Sequence, residues 1–175
     1  MDVFLRHTSA QDDSFLFQLY ASTRVEEMTL VNWDPVQKLA FLQMQFGAQR
    51  RSYEDEFPKA QYQIILRGDD CAGRLIVDRS DERILIVDIS LLPEYRSLGI
   101  GTNLIRRLQS EAKESGRTLR LHVESFNPAL RLYERLGFKK IIKNGLYWQM
   151  ESRDKDRVSY GEEPHSEAAG NREGV

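Results

Sequence analysis

The chain has 175 residues, of which 41% are hydrophobic and 30% charged, enough for one domain with a sizeable core. Its 25 basic and 27 acidic side chains give a net charge of −2, so neither nucleic acid nor an anionic membrane is expected as a partner. Cys71 is the only cysteine, which excludes an intrachain disulfide and a multi-cysteine metal site. With no signal-peptide form at the N-terminus and no run of membrane-spanning length, we expect a soluble cytoplasmic protein.

The first third of the chain predicts one strand followed by helices. The strand spans residues 3–6, and Ser9 with Asp12 is typical of the cap of a helix over 11–20. Residues 21–34 have no clean period and are interpreted as a connection. A long helix then begins at Asp34 and Pro35, a cap followed by proline, and is expected to continue to about residue 53.

Three strands follow, and the third is the most apolar. Residues 61–67 and 71–79 predict a hairpin, and the almost unbroken apolar run at 84–90 is typical of a buried central strand. Asp88 interrupts that run. Because burying an unpaired carboxylate is costly, Asp88 is expected to face a cleft or to have a partner, and a pair with Arg74 is the favoured interpretation.

The turn after this strand carries Arg-x-x-Gly-x-Gly and leads into a helix with apolar residues at helical spacing. Gly99 and Gly101 let the backbone approach a ligand, and the first helical turn presents amide hydrogens that suit a phosphate or pyrophosphate. A tight corner alone would also explain the two glycines. A P-loop is excluded because it requires Gly-Lys-Ser/Thr, whereas Gly101 is followed by Thr102. A dinucleotide-binding fingerprint is excluded because it requires a third glycine at position 104, which is Leu104.

The C-terminal part predicts a strand, a short helix and a hairpin. Residues 119–124 alternate with period two, so this strand has one apolar and one polar face. Asn127 with Pro128 predicts the start of a helix that ends near residue 136, and strands at 138–142 and 146–150 flank the turn dipeptide Asn144–Gly145. Residues 1–151 are expected to form a single domain, and the charged residues 152–175 a disordered tail.

The predicted order is strand, two helices, three antiparallel strands, helix, strand, helix and hairpin. It indicates an α+β, or mixed α/β, domain with helices packed on a mainly antiparallel sheet. Three segments at consistent distances then carry a resemblance: Leu-Pro-Glu-Tyr-Arg-x-x-Gly-x-Gly, the strand at 121–124, and Asn-Pro-Ala-Leu-Arg-Leu-Tyr-Glu-Arg-Leu-Gly-Phe at 127–138. Together they closely resemble the GNAT superfamily of N-acetyltransferases. The resemblance implies a central sheet of about seven strands flanked by about four helices, splayed at strands 84–92 and 119–124.

The resemblance also implies acetyl-CoA as the cosubstrate, without a metal. The loop amides would hold the pyrophosphate, and the strand backbone before them would pair with the pantetheine arm like an added strand. Asn127 would touch the pantetheine. The implied coenzyme-binding residues are Ile89, Leu91, Leu92, Pro93, Arg96, Ser97, Leu98, Gly99, Ile100, Gly101, Thr102, Asn127 and Tyr133.

The catalytic roles are assigned on the same resemblance. Tyr133 would lie near the coenzyme sulfur and give a proton to the departing thiolate, and the Ile89 amide would stabilise charge on the thioester oxygen. His122, on the polar face of its strand, is the first candidate for the base that deprotonates the amine, and Glu124 on the same face is the second. A surface histidine with no catalytic role is as consistent with the sequence.

The acceptor side is the least constrained by the sequence. Glu26, Glu27 and Trp33 could line it from the helix connection, although a solvated loop pair explains the two glutamates equally well. The predicted function is acetyl transfer to a primary amine, of a small molecule or a protein, by direct attack. The alternatives are a non-catalytic acyl-CoA-binding or sensing domain, or a transferase of a longer acyl group. A homodimer is left open.

Overall fold

The computed structural model describes residues 2–152. Within them five α-helices and seven strands follow the predicted order, with one short helix added between the first two predicted helices. The helices are α1 Asp13–Ser22, α2 Val25–Thr29, α3 Pro35–Glu56, α4 Ile100–Glu114 and α5 Leu130–Arg135. The strands are β1 Val3–His7, β2 Gln61–Arg67, β3 Asp70–Arg79, β4 Arg83–Leu91, β5 Thr118–Glu124, β6 Lys139–Asn144 and β7 Tyr147–Ser152. The tail predicted to be disordered lies outside the described residues, apart from Ser152, which belongs to β7.

All seven strands form one sheet in the order β1-β2-β3-β4-β5-β7-β6. Every pair is antiparallel except β4 with β5, which α4 connects as a parallel crossover. The predicted mixed fold with a mainly antiparallel sheet is therefore confirmed. Among the described helices none has the length and apolar character needed to cross a bilayer.

The sheet opens between its two central strands. β4 and β5 pair only as far as Ile86 opposite Leu121, although both strands continue beyond that point. On its other side β4 stays paired with β3, where Val77 lies opposite Ile86 and Ile76 opposite Asp88. Val87 is thus an extra residue, a β-bulge, at the position where β4 leaves β5. The predicted splay is confirmed, and the bulge accompanies it.

The main core lies between the sheet and α4. The helix buries one stripe of apolar side chains, as its spacing predicts. These are Ile100, Leu104, Ile105, Leu108 and Ala112. The stripe packs on alternate residues of the central strands, including Ile84, Ile86, Leu119 and Leu121, and Tyr133 of α5 joins the same cluster.

Helices α1 and α3 cover the opposite face of the sheet. They contact one another through aromatic rings, with the Phe46 ring 5.7 Å from Phe17 and 5.6 Å from Tyr20 between centroids. Gln49 of α3 accepts a hydrogen bond from Arg74 of β3 at 3.2 Å, which fixes the helix above the middle of the sheet. Beside the splay, part of this face of the sheet is not covered by α1 or α3. The cleft described below lies there.

Helix α3 begins after the Asp34 cap that the sequence predicts, and Gln37 completes a capping box there. The Asp34 side chain accepts the Gln37 N–H at 2.9 Å, and the Asp34 N–H donates to the Gln37 side chain at 3.1 Å. We expect Asp34→Ala to lower the free energy of unfolding by about 1 kcal/mol, because the Gln37 N–H loses its acceptor. Urea denaturation measures the change, and Asp55→Ala, at the exposed far end of the same helix, is the control. Equal stabilities of Asp34→Ala and the parent would contradict the expectation.

Three local departures from prediction have simple causes. The connection at 21–34 contains α2, whose five residues are too few to show a period. Helix α5 begins at Leu130 rather than at Pro128, because the Asn127 side chain accepts the Ala129 N–H at 2.9 Å and forms a turn before the helix. In the hairpin Asn144 pairs with Tyr147, so the loop is Gly145-Leu146, with Gly145 at φ 58° as the first loop residue.

Candidate active site

The corner between β4 and α4 holds an unusual backbone. Ser97 and Gly99 have φ values of 60° and 80°, and Gly99 is the N-cap of α4. A left-handed serine is uncommon, and such residues concentrate at ligand sites. The two positive φ values turn the chain so that successive amides point outward in front of the helix.

These amides have the character of an anion site. The Asn103 N–H donates to the Gly99 carbonyl at 2.9 Å, so the first-turn N–H groups of Ile100, Gly101 and Thr102 precede the helical ladder and have no acceptor within it. A Cβ placed on Gly99 or Gly101 would meet no protein atom within 4 Å. Packing within residues 2–152 therefore does not demand a glycine at 101, whereas a ligand lying against the backbone would. The corner fits a pyrophosphate.

The open edge of β4 continues this surface into the splay. The Leu92 N–H donates to the Ala72 carbonyl at 2.9 Å, so Leu92 faces β3. Because main-chain groups alternate between the two edges of a strand, Ile89 and Leu91 point theirs toward the gap where β5 is missing. The Leu91 carbonyl accepts a hydrogen bond from Arg96 Nε at 2.9 Å, and Arg96 thereby folds back along this edge. Such an edge can accept an extended amide chain.

Tyr133 lies on α5 at the wall of the splay. Its side chain is buried, and its ring meets Phe138 edge-on with 5.8 Å between centroids. Burial, followed by the negative charge of Asp88, raises the pKa of the Tyr133 phenol to about 12. The phenol is therefore neutral and able to donate a hydrogen bond across the physiological range. Asn127, at the turn before α5, keeps its amide NH₂ available because its side-chain oxygen is used by the Ala129 N–H.

Asp88 has the partner that the sequence predicted. Arg74 Nε donates to the carboxylate at 2.9 Å, and the Ser90 hydroxyl lies 3.1 Å from both of its oxygens. The Arg74 guanidinium also lies 5.9 Å from the centre of the Tyr53 ring of α3. Burial and the charge of Asp88 raise the pKa of the Tyr53 phenol to about 12. The ion pair of Arg74 and Asp88 therefore lies between the phenols of Tyr53 and Tyr133.

The two candidate bases lie on β5 beyond the end of its pairing with β4. Leu119, Leu121 and Val123 point into the α4 core, so His122 and Glu124 point to the face that carries α1 and α3. The His122 side chain is exposed, and Glu124 is half-buried and accepts a hydrogen bond from the Tyr147 hydroxyl at 3.1 Å. Within residues 2–152 no three His, Cys, Asp or Glu side chains are grouped so that they could hold a metal ion.

The predicted acceptor residues lie around a cavity between α1, α2 and α3. The cavity has a volume of about 270 Å³ and is lined by Tyr20, Arg24, Glu27, Met28, Phe41, Leu42 and Gln45. Glu27 is paired with Arg24 at 2.9 Å. Trp33 does not line the cavity but packs edge-on against Phe41, with 5.2 Å between ring centroids, and Glu26 is exposed on α2. The structure thus brings Glu27 to the cavity and leaves Glu26 and Trp33 at its margin.

Comparison with known proteins identifies the family. The model of the Acetyltransferase (GNAT) family matches residues 28–138, which is more than half of the chain and includes the corner, the splay and Tyr133. The chain is a GNAT acetyltransferase family member. The GNAT match begins within α2 and ends at the residue before β6, so the hairpin lies beyond it.

Individual relatives of this GNAT protein are distant. It is 39% identical over 59 residues to an N-alpha-acetyltransferase of Sulfurisphaera tokodaii, covering 32% of this chain and 35% of that protein. It is 31% identical over 85 residues to the [ribosomal protein bS18]-alanine N-acetyltransferase of Haemophilus influenzae, covering 47% of this chain and 58% of that protein. The matches thus span between about a third and three fifths of these relatives.

The GNAT fold is shared with solved structures. PaiA N-acetyltransferase from Thermoplasma acidophilum, solved in complex with coenzyme A, superimposes with a TM-score of 0.65 at 17% sequence identity, over 88% of this chain and 100% of that one. The helices and sheet described above are thus those of a known acetyltransferase architecture.

Two side-chain contacts of the cleft were not predicted from the sequence. The Ser90 hydroxyl donates to Asp88, and the Tyr147 hydroxyl donates to Glu124. Tyr147 could have been found by pairing the predicted hairpin with strand 119–124, because residues opposite one another in a sheet share a face. Tyr53 was expected to be a core aromatic that could also shape the acceptor pocket, and its ring lies 5.9 Å from the Arg74 guanidinium.

Proposed function

We propose that this protein transfers the acetyl group of acetyl-CoA to a primary amine by direct attack in a ternary complex. The observation that carries the proposal is the corner at 97–102, where outward amides and two glycines facing open space suit the coenzyme pyrophosphate. The exposed β4 edge beside it suits the pantetheine arm, whose amides can pair with Leu91 and Ile89. Membership in the GNAT family and the CoA complex of the PaiA protein support the same ligand.

The chain offers a donor for the charge that develops in the reaction. When an amine attacks the thioester carbonyl, negative charge grows on the carbonyl oxygen. The Ile89 N–H points into the splay from a strand that β3 holds rigidly on its other edge. A fixed amide stabilises this charge without having to reorient. We assign this role to Ile89.

Tyr133 is assigned to the coenzyme sulfur. Its phenol pKa of about 12 is higher than that of an ordinary thiol, near ~8.5, so the completed thiolate does not keep the phenol proton at equilibrium. The contribution of Tyr133 is therefore a hydrogen bond to the sulfur as the C–S bond breaks, and any proton it lends is returned.

His122 is proposed as the base that deprotonates the incoming amine, with Glu124 as the second candidate. We expect His122→Ala to lower kcat by about tenfold and, because the side chain is exposed, to leave stability within about 0.5 kcal/mol of the parent. Steady-state rates at several pH values, compared with Glu124→Gln, decide between the two. A pH–rate profile of His122→Ala that coincides with the parent's would remove His122 from the mechanism.

We propose the α-amino group of a polypeptide as the first acceptor class to test. The relatives from Sulfurisphaera tokodaii and Haemophilus influenzae are named for such amines. The exposed apolar side chains Val25 and Leu30, in and just after α2, and Leu146, at the hairpin, are suited to contact residues that follow the reacting nitrogen. Amino acids, diamines and aminoglycosides serve as the competing classes in the same screen.

Calorimetry with CoA and an acceptor screen together test the proposed function. The screen follows release of free thiol from acetyl-CoA in the presence of each amine. Binding of CoA with thiol release above the amine-free rate is the expected result. Binding without release on any amine would support the sensing alternative, and a well-folded protein that binds neither CoA nor acetyl-CoA would overturn the proposal. Propionyl-CoA and longer acyl-CoAs test acyl length.

A further inference from the structure

Tyr147 and Glu124 form a cross-strand pair at the mouth of the splay. They lie directly opposite one another in β7 and β5, and the Tyr147 hydroxyl donates to Glu124 Oε1 at 3.1 Å. Tyr147 is 47% exposed, so its ring is not there to fill the core. A hydrogen bond from a neutral phenol orients a carboxylate while leaving its negative charge in place.

This pair faces the acceptor side of the sheet. Glu124 shares its face with His122 and lies opposite the α4 core. Burial is the largest cause that raises the pKa of the Tyr147 phenol and of the Tyr53 phenol of α3, and the charge of Arg24, just before α2, acts against it at both. The pair therefore lies where α3, α2 and the hairpin converge, beyond the last residues that join β4 to β5.

Glu124 differs in charge balance from the other carboxylates of this face. Asp78 is paired with Arg83 at 3.8 Å, Asp88 with Arg74 at 2.9 Å, and Glu151 with Arg120 at 3.2 Å. Each of these three has an arginine that offsets its charge. Among residues 2–152 the side-chain partner of Glu124 is the Tyr147 hydroxyl, which carries no charge. Negative charge on this part of the sheet is thus concentrated at Glu124.

We propose that the Glu124 carboxylate is the seat of the acceptor's ammonium group. Tyr147, on β7 at the side of β5 away from β4, is a positioning residue that fixes this carboxylate on the face that it shares with His122. The inference rests on the proposed acetyl transfer and names the residues that select a cationic acceptor. An ammonium group offers three N–H donors, and one Glu124 oxygen remains free of the Tyr147 bond. Docking there brings the nitrogen to the open end of the strands between which the thioester would lie.

The experiment measures acceptor kinetics for Tyr147→Phe, Glu124→Gln and the double variant, using the best peptide or amine from the screen. Tyr147→Phe keeps the ring and removes only the donor. We expect it to raise the acceptor KM by about tenfold, leaving the KM for acetyl-CoA and the melting temperature unchanged. Because Tyr147 acts through Glu124, adding Tyr147→Phe to Glu124→Gln should cause little further loss. Tyr62→Phe, whose hydroxyl lies 3.4 Å from the Phe57 carbonyl, is the matched control.

A second measurement does not depend on turnover. The CoA-loaded protein with ¹³C-labelled glutamate carboxyls is titrated with n-butylammonium, and the Glu124 signal is assigned by its loss in Glu124→Gln. We expect that signal to move in the parent and to move less in Tyr147→Phe. Full additivity in the kinetic cycle, or an unmoved Glu124 signal, would overturn the inference. A parent that acetylates no amine would refute the proposed function instead, and the titration would still decide the role of Glu124.

Discussion

Tyr133→Phe is expected to lower kcat by about a hundredfold while the KM for acetyl-CoA changes less than about twofold. The substitution keeps the ring that packs on Phe138 and removes only the hydroxyl. Within residues 2–152 no side chain is hydrogen-bonded to that hydroxyl, so its removal breaks no bond of the fold. The loss should therefore appear at the departing sulfur, where a general acid or hydrogen-bond donor typically contributes about 10²-fold or more.

The pH dependence of this effect is fixed by the raised phenol pKa. With a pKa of about 12, the Tyr133 phenol stays protonated through neutral and moderately alkaline pH. The ratio of parent to Tyr133→Phe rates should therefore be constant between about pH 7 and pH 10. Above that range the parent loses its donor and the two rates converge. Stopped-flow thiol release avoids prolonged exposure of acetyl-CoA to alkali.

Two controls separate catalysis from structure in the Tyr133 experiment. Calorimetry with CoA should give the same affinity for Tyr133→Phe and the parent, and Tyr62→Phe should match the parent in rate. An unchanged kcat would remove Tyr133 from the mechanism. A weakened CoA affinity with an unchanged kcat would make Tyr133 a part of the coenzyme site alone.

Enlarging the side chain at position 101 is expected to weaken CoA binding without weakening the fold. A Cβ on Gly101 meets no protein atom within 4 Å, and Ala and Leu are better helix formers than Gly by up to about 1 kcal/mol. Gly101→Ala and Gly101→Leu should therefore be as stable as the parent or more so. The leucine side chain would occupy the space in front of the outward amides, and we expect its CoA affinity to fall by about a hundredfold or more, with Ala between.

The Gly101 variants are expected to keep or gain stability while they lose CoA affinity. These opposite changes separate an effect on binding from an effect on folding. Gly47→Ala, within α3, adds a methyl group that meets the Arg51 side chain at an ordinary 3.5 Å, and it should raise stability while leaving CoA affinity unchanged. Thermal unfolding gives the stability and calorimetry the affinity of each variant. A Gly101→Leu protein that bound CoA as tightly as the parent would place the pyrophosphate elsewhere. A poorly folded variant would show instead that the glycine serves the corner itself.

Much of the architecture was predictable because local and global preferences agree. The α4 stripe, the capping box at Asp34 and the two-faced strand at 119–124 each follow from spacing alone. The ion pair between Asp88 and Arg74 was predictable because a carboxylate inside an apolar strand must be compensated. The β4–α4 corner was identified from two glycines and the segments around them.

The proposed acceptor side was less predictable because its residues come from parts distant in sequence. Arg24, Tyr53, Glu124 and Tyr147 come from four elements, and no spacing relates them. The start of α5 was missed by two residues because Asn127 uses its side chain in a turn before the helix, which is capped at Ala129. The hairpin loop was displaced by one residue, since glycine can occupy the first loop position of a two-residue turn as well as the second.

The β-bulge at Val87 also decides on which face of the sheet the Asp88 carboxylate lies. Counting alternate positions from Ile84 and Ile86, which pack against α4, would send the Asp88 side chain into the hydrocarbon interior. The bulge inverts this parity, so Asp88 reaches Arg74 on the other side and Ile89 takes the inward position. In a variant lacking Val87, Asp88 would follow Ile86 directly and simple alternation would keep it on the Arg74 side, so the side chains would keep their faces while the bulge disappeared. The bulge thus absorbs one extra residue in the apolar central strand without turning its carboxylate into the core.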